Sequence, residues 1–133
     1  MSFTDFLENE LLDHVFGSGN RNYAAAANQF VALSTTIPTD AGGNFTEPAV
    51  GAYARVSRAD TNWTVAAAGA LDNNADIVFP TATANWGTIV YAGIFDLITA
   101  GNLLMIGDII PDQAVNSGND SQFDLGAFDV TLD

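Results

Sequence analysis

From Thr88 to Phe95 the chain alternates, but both alternating sets are apolar or small: Ile89, Tyr91, Gly93 and Phe95 against Val90, Ala92 and Ile94. A strand with one wet face would place a polar residue at every second position. The pattern therefore predicts a strand covered on both sides, by a second sheet, a helix or another subunit. Leu103-Leu104-Met105-Ile106 repeats this two-sided character and predicts a partner strand over 103–109. Between them, Asp96 to Asn102 reads as a loop, with turn chemistry in Gly101-Asn102.

Elsewhere the patterns are thinner. Residues 2–16 carry an i, i+3, i+4 stripe of Phe3, Phe6, Leu7, Leu11 and Val15, flanked by Leu12 and Phe16, which predicts a short amphipathic helix. Ser2 is its expected N-cap, with Asp5 three residues on. Asp5 and Glu8 suit the positive end of the helix dipole, and Gly17 stands where a left-handed C-cap belongs. A polar turn, Gly17 to Asn20, and a run of alanines lead to a strand over 29–35. Residues 37–51, with two prolines and three glycines, read as a long loop. Further strands are expected at Ala52–Val56, Trp63–Ala67, Asp76–Phe79 (stopped by Pro80), Gln122–Leu125 and Ala127–Leu132. In the last of these, Phe128, Val130 and Leu132 alternate with Asp129, Thr131 and Asp133, giving one wet face.

Seven or eight short strands between Gly, Asn, Asp and Pro turns predict a mainly β fold. The expected form is an antiparallel, jelly-roll-like β-sandwich with a short N-terminal α-helix. At 133 residues, with no internal repeat or linker, the expectation is a single domain over 1–133. With no cysteine, disulfides and thiolate metal sites are out of reach. The acidic N-terminus lacks the basic region of a secretory signal. No apolar run approaches the roughly 20 residues of a membrane span, so synthesis in a cytoplasm is expected.

Charge narrows the partners. Sixteen acidic residues face three arginines, Arg21, Arg55 and Arg58, with no lysine, for a formal net charge of −13. Such a surface repels phosphate backbones and anionic membranes, so neither nucleic acid nor membrane is an expected partner.

His14 is the only histidine, and no G-x-S-x-G serine or cysteine accompanies it, so it reads as a partly exposed structural residue. Paired carboxylates of the glycosidase kind are unavoidable among sixteen acids and carry no signal. Many of the aspartates sit in turns (Asp40, Asp72, Asp112, Asp120), where backbone reasons place them. Two oxygen-rich runs, Leu71 to Asp76 and Asn116 to Asp124, could offer hard ligands to a divalent cation such as calcium, but neither has EF-hand spacing. No other cofactor is expected. Trp63 and Trp86 could form a sugar platform; Trp86, just before the two-sided strand, reads as core or subunit interface.

In order, Ser2 to Gly17, Ala32 to Thr36, Tyr53 to Val56, Asn62-Trp63-Thr64, Ile77 to Thr83, Asn85 to Thr88, Gly93 to Asp96, Gly101 to Leu104 and Val130 to Leu132 resemble a family of small tailed-phage virion proteins, labelled head-decoration or tail-fibre. The alanine run Ala24 to Ala27 and the lack of lysine depart from its usual pattern. The resemblance implies a structural component of the virion surface with no catalytic residues to carry over. A long fibre would show repeats or heptads, and this chain has neither. The expectation is therefore a capsid decoration (cement) protein, assembled as a symmetric homo-oligomer, a trimer, on the major capsid protein or other virion proteins. The alternative is a fibre or spike module that binds a host-surface glycan. The expected docking set is Phe3, Phe6, Leu7, Leu11, Val15, Trp86, Tyr91, Ile94 and Phe95.

Overall fold

A computed structural model describes residues 1–17 and 23–132. Ser18, Gly19, Asn20, Arg21, Asn22 and Asp133 lie outside them, and with them most of the turn expected after the helix. The chain runs β1 (Ser2–Phe3), α1 (Asp5–Val15), β2 (Asn28–Ser34), β3 (Val56–Ala59), a 3-10 turn (Asp60–Asn62), β4 (Ala70–Asp72), β5 (Ile77–Val78), β6 (Gly87–Phe95), β7 (Leu103–Val115), β8 (Gln122–Phe123) and β9 (Asp129–Thr131). Five strands form one sheet in the order β1-β7-β6-β2-β3, and every pairing in it is antiparallel. The other four pair as two antiparallel ribbons, β4-β9 and β5-β8. The fold is thus mainly β and antiparallel with a single N-terminal helix among the described residues. Two short ribbons stand where a jelly-roll-like sandwich would need a second broad sheet.

β6 lies inside the sheet and is covered on both faces, as its sequence demands. On one face Val31, Leu33, Ala92, Ile94 and Met105 pack with Ile77, Phe79, Trp86 and Phe128. On the other, Ala32, Phe95, Leu103 and Ile106 pack with Phe30, Phe45 and Tyr91. The second cover is the long loop between β2 and β3. Phe45 meets Phe95 edge to face at 5.2 Å, and a Cβ on Gly93 would come within 2.6 Å of the Phe45 ring. Gly93 is therefore required by close approach. Arg55 closes this face: its guanidinium lies 3.6 Å from the Phe95 ring centroid. It also donates to the Leu97 and Ala100 carbonyls (2.7 and 2.8 Å) and pairs with Glu47 at 2.6 Å. That one side chain pins the β6–β7 turn to the loop.

The helix begins later than its sequence suggests. Ser2 and Phe3 pair with Ile106 and Met105 instead of opening α1. Thr4 becomes the N-cap, fully buried, with its hydroxyl donating to the Leu103 and Leu104 carbonyls and not to the helix. A nonlocal bond to β7 has won over the local capping box. At the other end Phe16 is the C-cap, and Gly17 is not left-handed. Glycine is needed there because a Cβ would sit 2.7 Å from the Asp13 Cα.

Strand boundaries also move, and the strands expected at Asp76–Phe79, Gln122–Leu125 and Ala127–Leu132 shorten to Ile77–Val78, Gln122–Phe123 and Asp129–Thr131. The strand expected at Ala52–Val56 starts only at Val56, because Gly51 and Ala52 form a left-handed pair (φ 72° and 63°). Gly51 accepts the Trp86 indole N–H at 2.8 Å and has no room for a side chain. The stretch Trp63–Ala67 makes only single bridges, to Asn73 and Ala70. β7 runs on past 109 to Val115. Between Ile89↔Gln113 and Tyr91↔Asp108 it loops out residues 109–112 opposite Val90 alone, and this bulge absorbs Pro111. Among the described residues, no helix is long and apolar enough to cross a membrane.

Candidate functional site

The described residues gather no group of three or more His, Asp or Glu side chains that could hold a metal ion. His14 stands exposed in the last turn of α1. In the oxygen-rich runs several side chains bond the backbone, while Asp120 and Asp124 accept from the Thr81 and Gln122 side chains. Asn73, fully buried, donates to the Ala75 and Asp124 carbonyls and accepts from Phe128 N–H (2.8, 2.9 and 2.9 Å). Asn74 donates to Thr61 O, Asp76 accepts from Leu125 N–H, and Asn119 accepts from Asn116 N–H. These are turn-building contacts.

Perturbed titrations are structural as well. Burial pushes the Tyr53 phenol well above its ordinary value; its hydroxyl donates to Glu47 at 2.9 Å and accepts from Leu33 N–H at 2.8 Å. Burial lowers Arg58, which is 6% exposed and donates to the carbonyls of Asp76, Asn62 and Ala75. The cross-strand register of β4 and β9 sets Asp72 opposite Asp129. A shared hydrogen bond with Asp129, then desolvation, then the like charge raise the Asp72 carboxyl. Nothing in the local sequence announced this pair, because it depends on the register of two strands more than 50 residues apart.

The expected docking residues separate into two groups. Trp86, Ile94 and Phe95 are 4%, 5% and 7% exposed and pack in the chain's own core. Tyr91 is half-buried against the second core cluster. Phe3, Phe6 and Leu7 pack on the first core cluster, which brings α1 onto its own sheet. Leu11 is half-buried at a cleft, and Val15, with Leu12 and Phe16, faces outward. Trp63 is half-buried, and its N–H is committed to the Gln29 side chain at 3.0 Å. With Phe3, Leu71 and Val130 it lines an apolar groove of about 410 Å³.

The more extended surface feature lies along β7 and reaches inward to Ile89 and Ala92 of β6 and Leu33 of β2. One cavity of about 460 Å³ lies between Ile109, Gln113 and Val115 on β7 and the facing segment 119–123. A second, about 210 Å³, shares Ile109 and Phe123 with the first and continues between Gly107 and Ala127–Asp129. A third, about 440 Å³, shares Met1 with the second and separates β1 and α1 from Thr131 and Leu132. Together they make one trench, walled by β7 and β1 on one side and by the chain from 119 to 132 on the other. Its charged rim is acidic: Glu8, Asp108, Asp120 and Asp129.

An enzyme's constellation is missing from these described residues, while the fold and its acidic, partly apolar surface suit a particle component. No curated protein matches the chain. A family model does, over residues 2–131, and its description is podophage GP4 fiber I protein gp80. That finding favours the fibre alternative over the capsid decoration first expected. The chain belongs to this family of phage fibre proteins and is part of the virion.

Proposed function

We propose that the chain is a non-enzymatic building block of the phage fibre, held to other virion proteins by contacts on its acidic surface. The observation that carries this reading is the fibre family's match along residues 2–131, nearly the whole chain. The site chemistry agrees: the single histidine is exposed on a helix, Asp76 serves a turn, and Asp72 and Asp129 face each other across a strand register. Compactness and charge, which pointed to decoration, describe a soluble particle protein and say nothing about where on the particle it sits. Gold-labelled antibody against the purified chain should mark fibres in electron micrographs of intact phage. Label spread evenly over the head would overturn the fibre assignment in favour of decoration.

A further inference from the structure

The sheet's outer edge is only partly used. β1 covers β7 at Met105 and Ile106, and Thr4 N–H reaches the Leu104 carbonyl. Beyond Ile106, no described strand pairs with β7 on that side. Across the trench, β9 is paired with β4 on one side alone. The trench therefore lies by two stretches of strand edge on which no described strand pairs. An exposed edge of this kind is a template for another chain.

We propose that this trench receives an extended, basic segment of another virion protein, which adds as a strand between β7–β1 and β9 and so joins the β4–β9 ribbon to the main sheet. This rests on the fibre-component reading and names the partner's chemistry. Several features select the occupant. The trench floor is partly apolar, with the half-buried Ile109 and Phe123 within reach of alternate side chains of a strand. The rim carries Glu8, Asp108, Asp120 and Asp129, all exposed, and no described arginine lines it. Opposite charge on the incoming strand is what these positions favour.

A second copy of the chain is a poor occupant. It has no lysine, and of its three arginines Arg55 and Arg58 are buried and bonded within the fold, which leaves Arg21 against sixteen acids. The mid-trench position is held by a soft cover. The Met1 side chain lies over Gly107, where a Cβ would meet its Cγ at 2.9 Å. An unbranched thioether can swing aside for an incoming backbone. Pro111, in the bulge, removes a donor and ends the usable edge near Ile110.

The absence of lysine provides a clean test. Any carbodiimide cross-link between a carboxylate of this chain and a lysine must reach another protein. In purified phage, cross-links from Asp108 and Asp129 to lysines of one virion protein are expected. Amide exchange at Gly107–Ile110 should also slow by about tenfold or more in the particle relative to the isolated chain. Unchanged exchange there, or cross-links confined to carboxylates away from the trench, would overturn the proposal. Protection that appears in the isolated chain as its concentration rises would assign the edge to a second copy, and also overturn it. If the chain is present in the particle but its trench is untouched, only this inference fails. If mass spectrometry finds no such chain in the particle, the fibre reading itself fails.

Discussion

β6 and the far half of β7 are neighbours in one sheet, yet they live in opposite surroundings. In β6, residues 92–95 are buried; in β7, residues 110–114 are exposed. Ile94 is 5% exposed and Ile110 is 84% exposed. The residue type is the same, so hydrophobicity does not decide the difference. Coverage does: β6 has strands on both edges, a packed core on one face and the Phe45 loop on the other, whereas β7 beyond Ile106 keeps a bare outer edge. A strand buried on both faces serves folding, while one left open on a rim of carboxylates is available for assembly.

The largest expected effect tests the folding side. Ile94→Asp places a carboxylate opposite Val31 and Met105, inside a cluster with no cation to pair with it. Burying an unpaired charge costs more than about 4 kcal/mol, a large fraction of a small domain's stability. Loss of cooperative thermal unfolding by circular dichroism is expected. A variant that unfolds at the wild-type temperature would show that β6 is not the covered strand described.

A smaller loss is expected on the opposite face. Gly93→Ala brings a Cβ within 2.6 Å of the Phe45 ring and 2.8 Å of the Leu103 side chain. Overpacking of this kind costs about 1–3 kcal/mol, readable as a lower denaturant midpoint. An unchanged midpoint would mean that the loop yields freely and that β6 has one firm cover, not two.

How much of this was legible in the sequence follows the same division. The two-sided burial of β6 could be read because its signal is local: every position from Ile89 to Phe95 is apolar or small. The long loop could be read from its prolines and glycines, but the loop's work as the second cover could not, since it rests on Phe45 and Arg55 meeting Phe95 across the fold. β1 and β4 are two and three residues long, and their pairing is fixed entirely by distant partners. Ala52, Ala68 and Ala100 sit at φ 63°, 52° and 53° beside left-handed glycines. Alanine carries no turn signature, so the left-handed alanine in each turn was hidden even where the neighbouring glycine marked a loop. The trench was least visible, because it is made of what strands leave unpaired, and pattern reports only what a residue would bury. The phage resemblance was legible from ordered motifs, whereas head or fibre was not, since surface charge and compactness are the same on either.

The smallest expected effect falls on the open edge. Ile110→Ser removes an exposed aliphatic side chain from the bulge of β7, where no described core residue packs on it. Surface substitutions away from caps, bonds and cores stay within about 0.5 kcal/mol, so the melting temperature of the isolated chain should be unchanged within error. A serine fits the φ range of an edge strand as well as isoleucine does, apart from a modest difference in β propensity. A drop comparable to that of Gly93→Ala would mean that part of the chain covers Ile110 and that the edge is not free. In that case the contrast between β6 and β7 would collapse, and with it the reason for assigning one strand to folding and its neighbour to assembly. An unchanged melt leaves the hydrophobic side chain with no role in the isolated fold, which is the condition an assembly edge has to satisfy.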